Sequence, residues 1–221
     1  MKRIIAFVLL GLLIYAGGFV IYYALVDLGI RHSVPNDLER LQPYSMYTGL
    51  VAEGDVYQVV DKLYTEVHRA KLLGIPVGKA ITQHYYILPV GTSGMFMLIA
   101  ASDENDIEAL EKMKTDTPRE RGKNDPALEV YGIMEETSPI PKSWMRDYFI
   151  YKQPELIGYS WDDPYRFTYV ADKHIVPFTL YIKHPGDVDY TPLIVGIAMC
   201  VVGTGLTVLL ILRIKSEREG Y

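Results

Sequence analysis

The sequence predicts a membrane-anchored α+β protein in which two transmembrane helices flank a β-rich, OB-like extracytoplasmic domain. Three observations carry this. Ile4–Val26 runs 23 residues, and Pro192–Leu212 21 residues, without a charged side chain. Between them, short β-like runs are separated by Gly- and Pro-containing breaks, with one clear helical segment. At the centre lies His84–Ser102, HYYILPVGTSGMFMLIAAS, two apolar strands folded back on Gly91-Thr92-Ser93-Gly94.

Roughly 20 apolar residues, each rising about 1.5 Å, cross a hydrocarbon core of about 30 Å. The expected organisation is therefore a cytoplasmic N-terminus over 1–3, a first span over 4–26 and a connector over 27–46. The folded domain follows over 47–190, then a second span over 191–212 and a cytoplasmic tail over 213–221. Lys2 and Arg3 precede the first span, and Arg213, Lys215 and Arg218 follow the second. Basic residues close to span ends favour the cytoplasmic side, so residues 27–190 are expected outside. Tyr15, Tyr22, Tyr23 and Tyr190 suit an interfacial aromatic belt. A cleaved signal peptide ending near Ala16-Gly17-Gly18 is the competing reading of the first span, but the apolar run continues through Phe19–Val26.

The segment Asp27–Tyr44 reads as a polar connector with a short helix at Asn36–Leu41. Strands are expected at Tyr47–Val51 and Val56–His68, on either side of a turn at Ala52-Glu53-Gly54-Asp55. Val56–His68 also carries a partial helical stripe, and its β-branched and aromatic content decides for strand. Ala70–Ala80 reads as a loop because of Gly74, Pro76 and Gly78. His84–Val90 and Met95–Ala101 are nearly continuously apolar, as strands covered on both faces are. Ser102 and Asp103 open a helix with Glu104 and Asp106 in its first turn and Lys112 and Lys114 at its end, complementing the helix dipole. Ile107, Leu110 and Met113 give it one apolar edge. Asp116–Pro126 is a charged loop, Ala127–Met134 a strand and Pro139–Ile150 a short helix around Trp144. After a break at Asp162–Pro164, Tyr165–Val170 and Ile175–Ile182 are the last two β-like runs. Five or six strands with one helix suggest a small curled sheet or an OB-like barrel.

The composition excludes some functions. The 27 acidic residues outnumber the 22 Lys and Arg, and no long basic run occurs, so nucleic acid is not an expected partner. Cys200 is the single cysteine and lies in the second span, so no disulfide forms within the outer domain. With no Asn-x-Ser/Thr sequon either, a bacterial cell membrane is the simpler home. No H-E-x-x-H, G-x-S-x-G or Walker pattern is present. His32, His68, His84, His174 and His184 show no metal-ligand spacing, although His68 and His84 are candidates to meet across neighbouring strands. Ser93 between Gly91 and Gly94 reads as turn chemistry rather than a nucleophile. Ser138 and Lys142 lack the S-x-x-K spacing of a serine–lysine dyad. No cofactor, metal or catalytic residue is therefore expected.

Two features point to interaction instead. Gly196, Cys200, Gly203 and Thr207 recur at helical spacing in the second span, and Gly11 and Gly18 give the first a thinner stripe. Small residues let another helix approach closely, whether the two spans pair with each other or with a partner. Neither span holds Asp, Glu, Lys, Arg or His, which disfavours an ion path built from this chain alone. The second feature is aromatic content: Trp144, Tyr148, Tyr159 and Trp161, with Asp162 and Asp163, are the candidate interaction surface.

Gly54-Asp55-Val56-Tyr57-Gln58-Val59-Val60-Asp61, His84-Tyr85-Tyr86-Ile87-Leu88-Pro89-Val90 and Ile175-Val176-Pro177-Phe178-Thr179-Leu180 resemble segments of two-span membrane proteins of Gram-positive gut-type bacteria, a family of unknown function. The resemblance implies the order span, β-rich domain, span, and carries no activity with it. The expected function is non-enzymatic: protein assembly or binding of an envelope component, with the bilayer, a membrane or envelope protein, or a second copy as partners. The alternatives are an envelope enzyme acting on wall polymer or lipid-linked sugar, using Asp162 or Asp163 with His174, and an accessory subunit of a transporter.

Overall fold

The computed structural model describes residues 2–31, 33–69, 71–72, 75–76, 80–91, 94–115, 125–158, 164–184 and 190–219. In chain order the elements begin with α1 (Lys2–Arg31), β1 (Asn36–Asp37), β2 (Val51–Val56), β3 (Lys62–His68), β4 (Lys71–Leu72), β5 (Ile75–Pro76), β6 (Ile81–Val90) and β7 (Met95–Ala101). They continue with α2 (Glu104–Lys112), β8 (Leu128–Glu136), α3 (Pro139–Tyr151), α4 (Pro164–His174), β9 (Ile175–Ile182) and α5 (Thr191–Glu219). The chain divides into two units, residues 1–33 with 186–221, and residues 34–185.

The first unit is a helix pair. Both helices are long and apolar enough to cross a membrane, over Arg3–Ile30 and Thr191–Glu217. They meet where side chains are smallest. A Cβ placed on Gly196 would lie 2.8 Å from Ile21 Cγ1 and 2.9 Å from the Gly17 carbonyl oxygen, and one on Gly203 would lie 2.7 Å from Ile14 Cγ1. Cys200 Sγ is 3.6 Å from the Ile14 carbonyl oxygen. Arg3 and Glu217 form an ion pair near the chain ends. Thr207 turns its hydroxyl to the Gly203 carbonyl of its own helix, at 2.7 Å. On α1 the close approach is made by Gly17; beside Gly11 and Gly18 there is open space. The helical period explains this, since Ile14, Gly17 and Ile21 share one face and Gly18 is rotated about 100° from Gly17.

The second unit is a seven-stranded mixed sheet in the order β1-β2-β8-β9-β7-β6-β3. Its centre is β7, paired antiparallel with β6 and parallel with β9. Strand periodicity divides the core in two. Met97, Ile99 and Ala101 join Tyr86, Leu88 and Leu180 on one face, under Leu110 of α2 and Met113, which caps that helix. Phe96, Leu98 and Ala100 join Tyr85 and Ile87 on the other, under Met145, Tyr148 and Phe149 of α3 and Ala171 of α4. Continuously apolar strands are thus covered on both faces, as the sequence predicts for β6 and β7.

Elsewhere the structure departs from the sequence reading. No pairing joins the edge strands β1 and β3 among the described residues, so of the two expected forms, a curled sheet or an OB-like barrel, the sheet is open. A parallel β7–β9 pair demands a crossover and helical cover rather than a meander that closes on itself. The expected turn at Ala52–Asp55 lies inside β2, because pairing to β8 from Val51↔Ile133 to Val56↔Leu128 overrides local turn preference. The expected strand at Tyr47–Val51 correspondingly contributes only Val51. The Val56–His68 run divides: Val59 N–H bonds the Met113 carbonyl (3.1 Å), Val60 N–H bonds Ile87 (2.8 Å), and β3 begins at Lys62. Within Ala70–Ala80, read as a loop, β4 and β5 form a short antiparallel pair.

The largest correction is Tyr165–Val170, which belongs to helix α4 rather than a strand. Its alternating aromatics imitate a two-residue period. Pro164 at the first helical position and Lys173 and His174 in the last turn are start and stop signals of a helix. The connector is also partly folded: α1 runs on through Arg31, and β1 pairs with β2 in parallel. Leu41 is buried in the sheet core.

One polar chain ties α2 to the sheet. The hydroxyl of fully buried Tyr86 donates to Glu111 Oε1 at 2.9 Å, and Lys114 Nζ lies 2.7 Å from Glu111 Oε2. Burial and the facing carboxylate push the Tyr86 phenol above its ordinary range. Lys114, helped by Tyr86, holds the Glu111 carboxyl below its own. Tyr86→Phe is expected to cost about 1–2 kcal/mol at neutral pH, the range for a hydrogen bond to a charged group that keeps some water. Because the Glu111 pKa is depressed by folding, its contribution is present above the unfolded carboxylate value of about 4.3 and lost as pH falls through the folded value. The penalty of Tyr86→Phe should therefore shrink on acidification, read by unfolding titrations at neutral and acid pH. An equal penalty at both would refute the link to Glu111.

Candidate functional site

Helix α3 presents three exposed large apolar side chains, Ile140, Trp144 and Tyr151. Ser138 precedes it at the N-cap position and Pro139 supplies a preset first turn. Its inner stripe is Pro141, Met145, Tyr148 and Phe149. Its outer stripe is Ile140, Trp144, Asp147 and Tyr151, at i, i+4, i+7 and i+11, and Ile140, Trp144 and Tyr151 are exposed. Trp144 is held edge-on to Tyr64 of β3, with ring centroids 4.7 Å apart. Tyr64 stacks on Tyr85 at 4.2 Å, and Tyr85 meets Tyr181 edge-on at 6.2 Å. Burial pushes all three of these phenols above their ordinary range, so they stay protonated and act as packing groups. Trp144 thus rests on a rigid aromatic base.

The other sequence-predicted surface residues are placed differently. Tyr148 points inward, 6% exposed, with its ring 5.8 Å from that of Phe149; although four residues on from Trp144, it lies at the border of the inner stripe with Met145 and Phe149. Tyr159, Trp161, Asp162 and Asp163 lie outside the described residues. His174 Nδ1 bonds the Gly94 carbonyl oxygen at 2.6 Å, tying α4 to the end of the β6–β7 connection. Gly91 and Gly94 of that connection have φ of +52° and +67°, the turn role expected of them. Ser138 is a cap residue, its carbonyl accepting from Lys142 N–H at 3.2 Å. His68 and His84 sit on paired strands out of register, since His84 opposes Thr65 and His68 opposes Ile81. Burial, then Lys62, lowers the pKa of His84.

Tertiary structure assembles two groupings that spacing did not reveal. Asp103, Asp106 and His184 place one donor atom each within 4.8 Å of one another. Asp103 caps α2 through Asn105 N–H (2.9 Å), and buried Asp106 pairs with His184 Nε2 at 3.1 Å. Burial raises the Asp106 carboxyl above its ordinary range, and His184 opposes this. Two carboxylates and an imidazole are a donor set that suits a divalent cation; here Asp106 is paired with His184, and Asp103 accepts from the Asn105 N–H.

The second grouping is a cleft of about 220 Å³ within residues 34–185. Met46, Val56, Leu88 and Met97 form its apolar wall, while Glu39, Asp55, Tyr57 and Gln58 supply its polar groups. The 3₁₀ turn Leu38–Arg40 closes one side, capped by Asp37 Oδ1 accepting from Glu39 N–H at 3.0 Å. Gly54 lets that turn come close: a Cβ there would stand 3.0 Å from Leu38 Cβ, and its φ is +153°. The lining residues come from four stretches of the chain, 38–46, 55–58, 88–91 and 97. No family model matches this chain, and no curated protein or solved structure is significantly similar to it.

Proposed function

We propose that the chain is a two-span membrane protein of a bacterial cell envelope, with both termini cytoplasmic and residues 27–190 extracytoplasmic. Its folded domain works without catalysis, by protein assembly or by binding an envelope component. The observation that carries the binding role is the outer stripe of α3, in which Ile140, Trp144 and Tyr151 face solvent. Large rigid aromatics on a fixed base lose little entropy when a partner covers them, and such residues dominate interface energetics.

Membrane placement rests on exposure as well as length. Ile4, Leu12, Phe19, Val201 and Leu209 are each more than half exposed, so the helix pair covers little of its own apolar surface. In water that surface is unfavourable by about 25 cal/mol per Å², and lipid removes the cost. Basic residues in the first turn of α1, Lys2 and Arg3, and in the last turns of α5, Arg213, Lys215 and Arg218, support the orientation. The small-residue face of α5 is occupied by α1 of the same chain, which leaves a transporter-subunit role to some other face.

Photo-crosslinking in intact cells tests the reading. A photoreactive residue at 144 or 151 is expected to give the same crosslinked product, and one at exposed Glu104 of α2 none. Trp144→Ala with Tyr151→Ala should lower its recovery by about tenfold or more, the scale of losing an aromatic hot spot. If positions 144 and 151 crosslink no better than 104, the α3 surface is not the binding face.

A further inference from the structure

We infer that the outer faces of α3 and α4 form a two-fold contact with a second copy of this chain, in which Asp147 meets the partner's Lys173 and Lys173 meets the partner's Asp147. The inference rests on the α3 binding face proposed above and names the partner of that face.

The geometry starts from the inner side of the two helices. α3 and α4 cover one face of the sheet, where Met145, Phe149 and Ala171 are buried in a common cluster. Between the helices Arg146 Nε lies 3.8 Å from Asp172 Oδ1, which sets these two residues at one level. One step along an α-helix turns the side chain by about 100°. On both helices that step leads outward, and Asp147 and Lys173 are exposed. The two charges therefore stand at the same level on neighbouring helices. Aromatic side chains flank them: Trp144 and Tyr151 on α3, 43% and 70% exposed, and Tyr169 on α4, 68% exposed.

This arrangement is self-complementary. A half-turn about an axis running between the helices lays α3 of one copy over α4 of the other and keeps each residue at its level. Asp147 then faces the partner's Lys173, and the same pair recurs on the other side of the axis, the reciprocal pattern of an isologous contact. Asp147 has no hydrogen-bond or ion-pair partner among the described residues. Lys173 Nζ stands 4.2 Å from the centre of the Tyr169 ring, and an ammonium with three N–H groups can keep that contact while meeting a carboxylate. The aromatics supply the area to be covered, and the two charge pairs fix the register. An anionic lipid surface is a poorer occupant, because Asp147 sits within the apolar stripe and would be repelled by it.

Charge exchange tests the contact with the full chain in detergent micelles. Two batches carry a donor or an acceptor dye on a C-terminal tag, and association is read as energy transfer that unlabelled chain displaces. The wild type is expected to associate saturably. D147K alone places two lysines opposite each other at both sites, and K173D alone places two aspartates there. Each should weaken self-association by about tenfold or more. Mixing the D147K chain with the K173D chain restores opposite charges at both sites, and the mixture should recover to within about threefold of wild type. Recovery also shows that both variants are folded. Absence of saturable self-association in the wild type would overturn the inference. So would single variants that associate like wild type, or a mixture no stronger than either variant alone. The α3 face and its partner fail separately. A crosslinked product from position 144 that contains a different protein, with no self-association, keeps α3 as a binding face and overturns the second copy.

Discussion

Gly132→Val is expected to destabilise the 34–185 unit by about 3 kcal/mol, the upper part of the range for overpacking a filled core. The position lies in β8, opposite Ile182 of β9. A Cβ there would stand 2.7 Å from Leu180 Cδ1 and 2.7 Å from the Tyr181 carbonyl oxygen. A leucine methyl can rotate away, but a strand carbonyl in a ladder cannot do so without breaking its register. The β8–β9 pair joins β2 and β1 to the rest of the sheet, so its displacement reaches the central strands. For a unit of this size the loss corresponds to a fall in melting temperature of about 6–12 °C. Glu129→Ala, an exposed change on the same strand, should move it by no more than about 2 °C. Equal midpoints for wild type and Gly132→Val would mean that β8 and β9 are not packed as described.

Gly196→Leu combined with Gly203→Leu is expected to separate α1 from α5. At Gly196 even a Cβ would meet the Gly17 carbonyl oxygen at 2.9 Å, so accommodation requires the helices to part. Without a hydrophobic drive between helices in lipid, association depends on close van der Waals contact, which a larger residue at the crossing removes. The single cysteine is a native reporter. Cys200 is half-buried against the Ile14 carbonyl, and separation should raise its maleimide labelling rate by about tenfold, equivalent to about 1.4 kcal/mol of protection lost. Gly205 has open space around its Cβ position, and Gly205→Leu should leave the rate unchanged. If both variants label alike, the small-residue contact is not what holds the pair.

These two cases show how far the chain can be read before its structure is known. For the helix pair the sequence carried most of the information. Uncharged runs of sufficient length are visible directly, and so is the stripe through Gly196, Cys200 and Gly203, because a helix repeats its faces with a fixed period. Its partner surface was less visible: Gly11 and Gly18 were read as the packing glycines, and only the rotation of α1 against α5 selected Gly17 instead. For the sheet, β6, β7 and β9 were legible from their apolar runs, and α2 from its cap and charge placement. The register around Gly132 was not, since nothing local says which strand will lie beside it.

The same distinction separates the candidate sites. Trp144 was legible as a surface aromatic, while Tyr148, four residues on, was not separable from it until α3 was set against Phe96 and Phe149 packed between them. The cleft and the Asp103–Asp106–His184 grouping left no trace in spacing, because their members come from distant segments.

By itself, then, the amino-acid sequence determined the two apolar terminal helices, the central strand pair and the α2 helix, all of which follow from local periodicity and composition. Only the tertiary structure decided that Ala52–Asp55 is strand, that the sheet stays open, and which residues meet in the cleft. Those outcomes depend on non-local pairing: backbone hydrogen bonds to β8 and burial against β9 outweigh local preferences worth a fraction of a kcal/mol per residue.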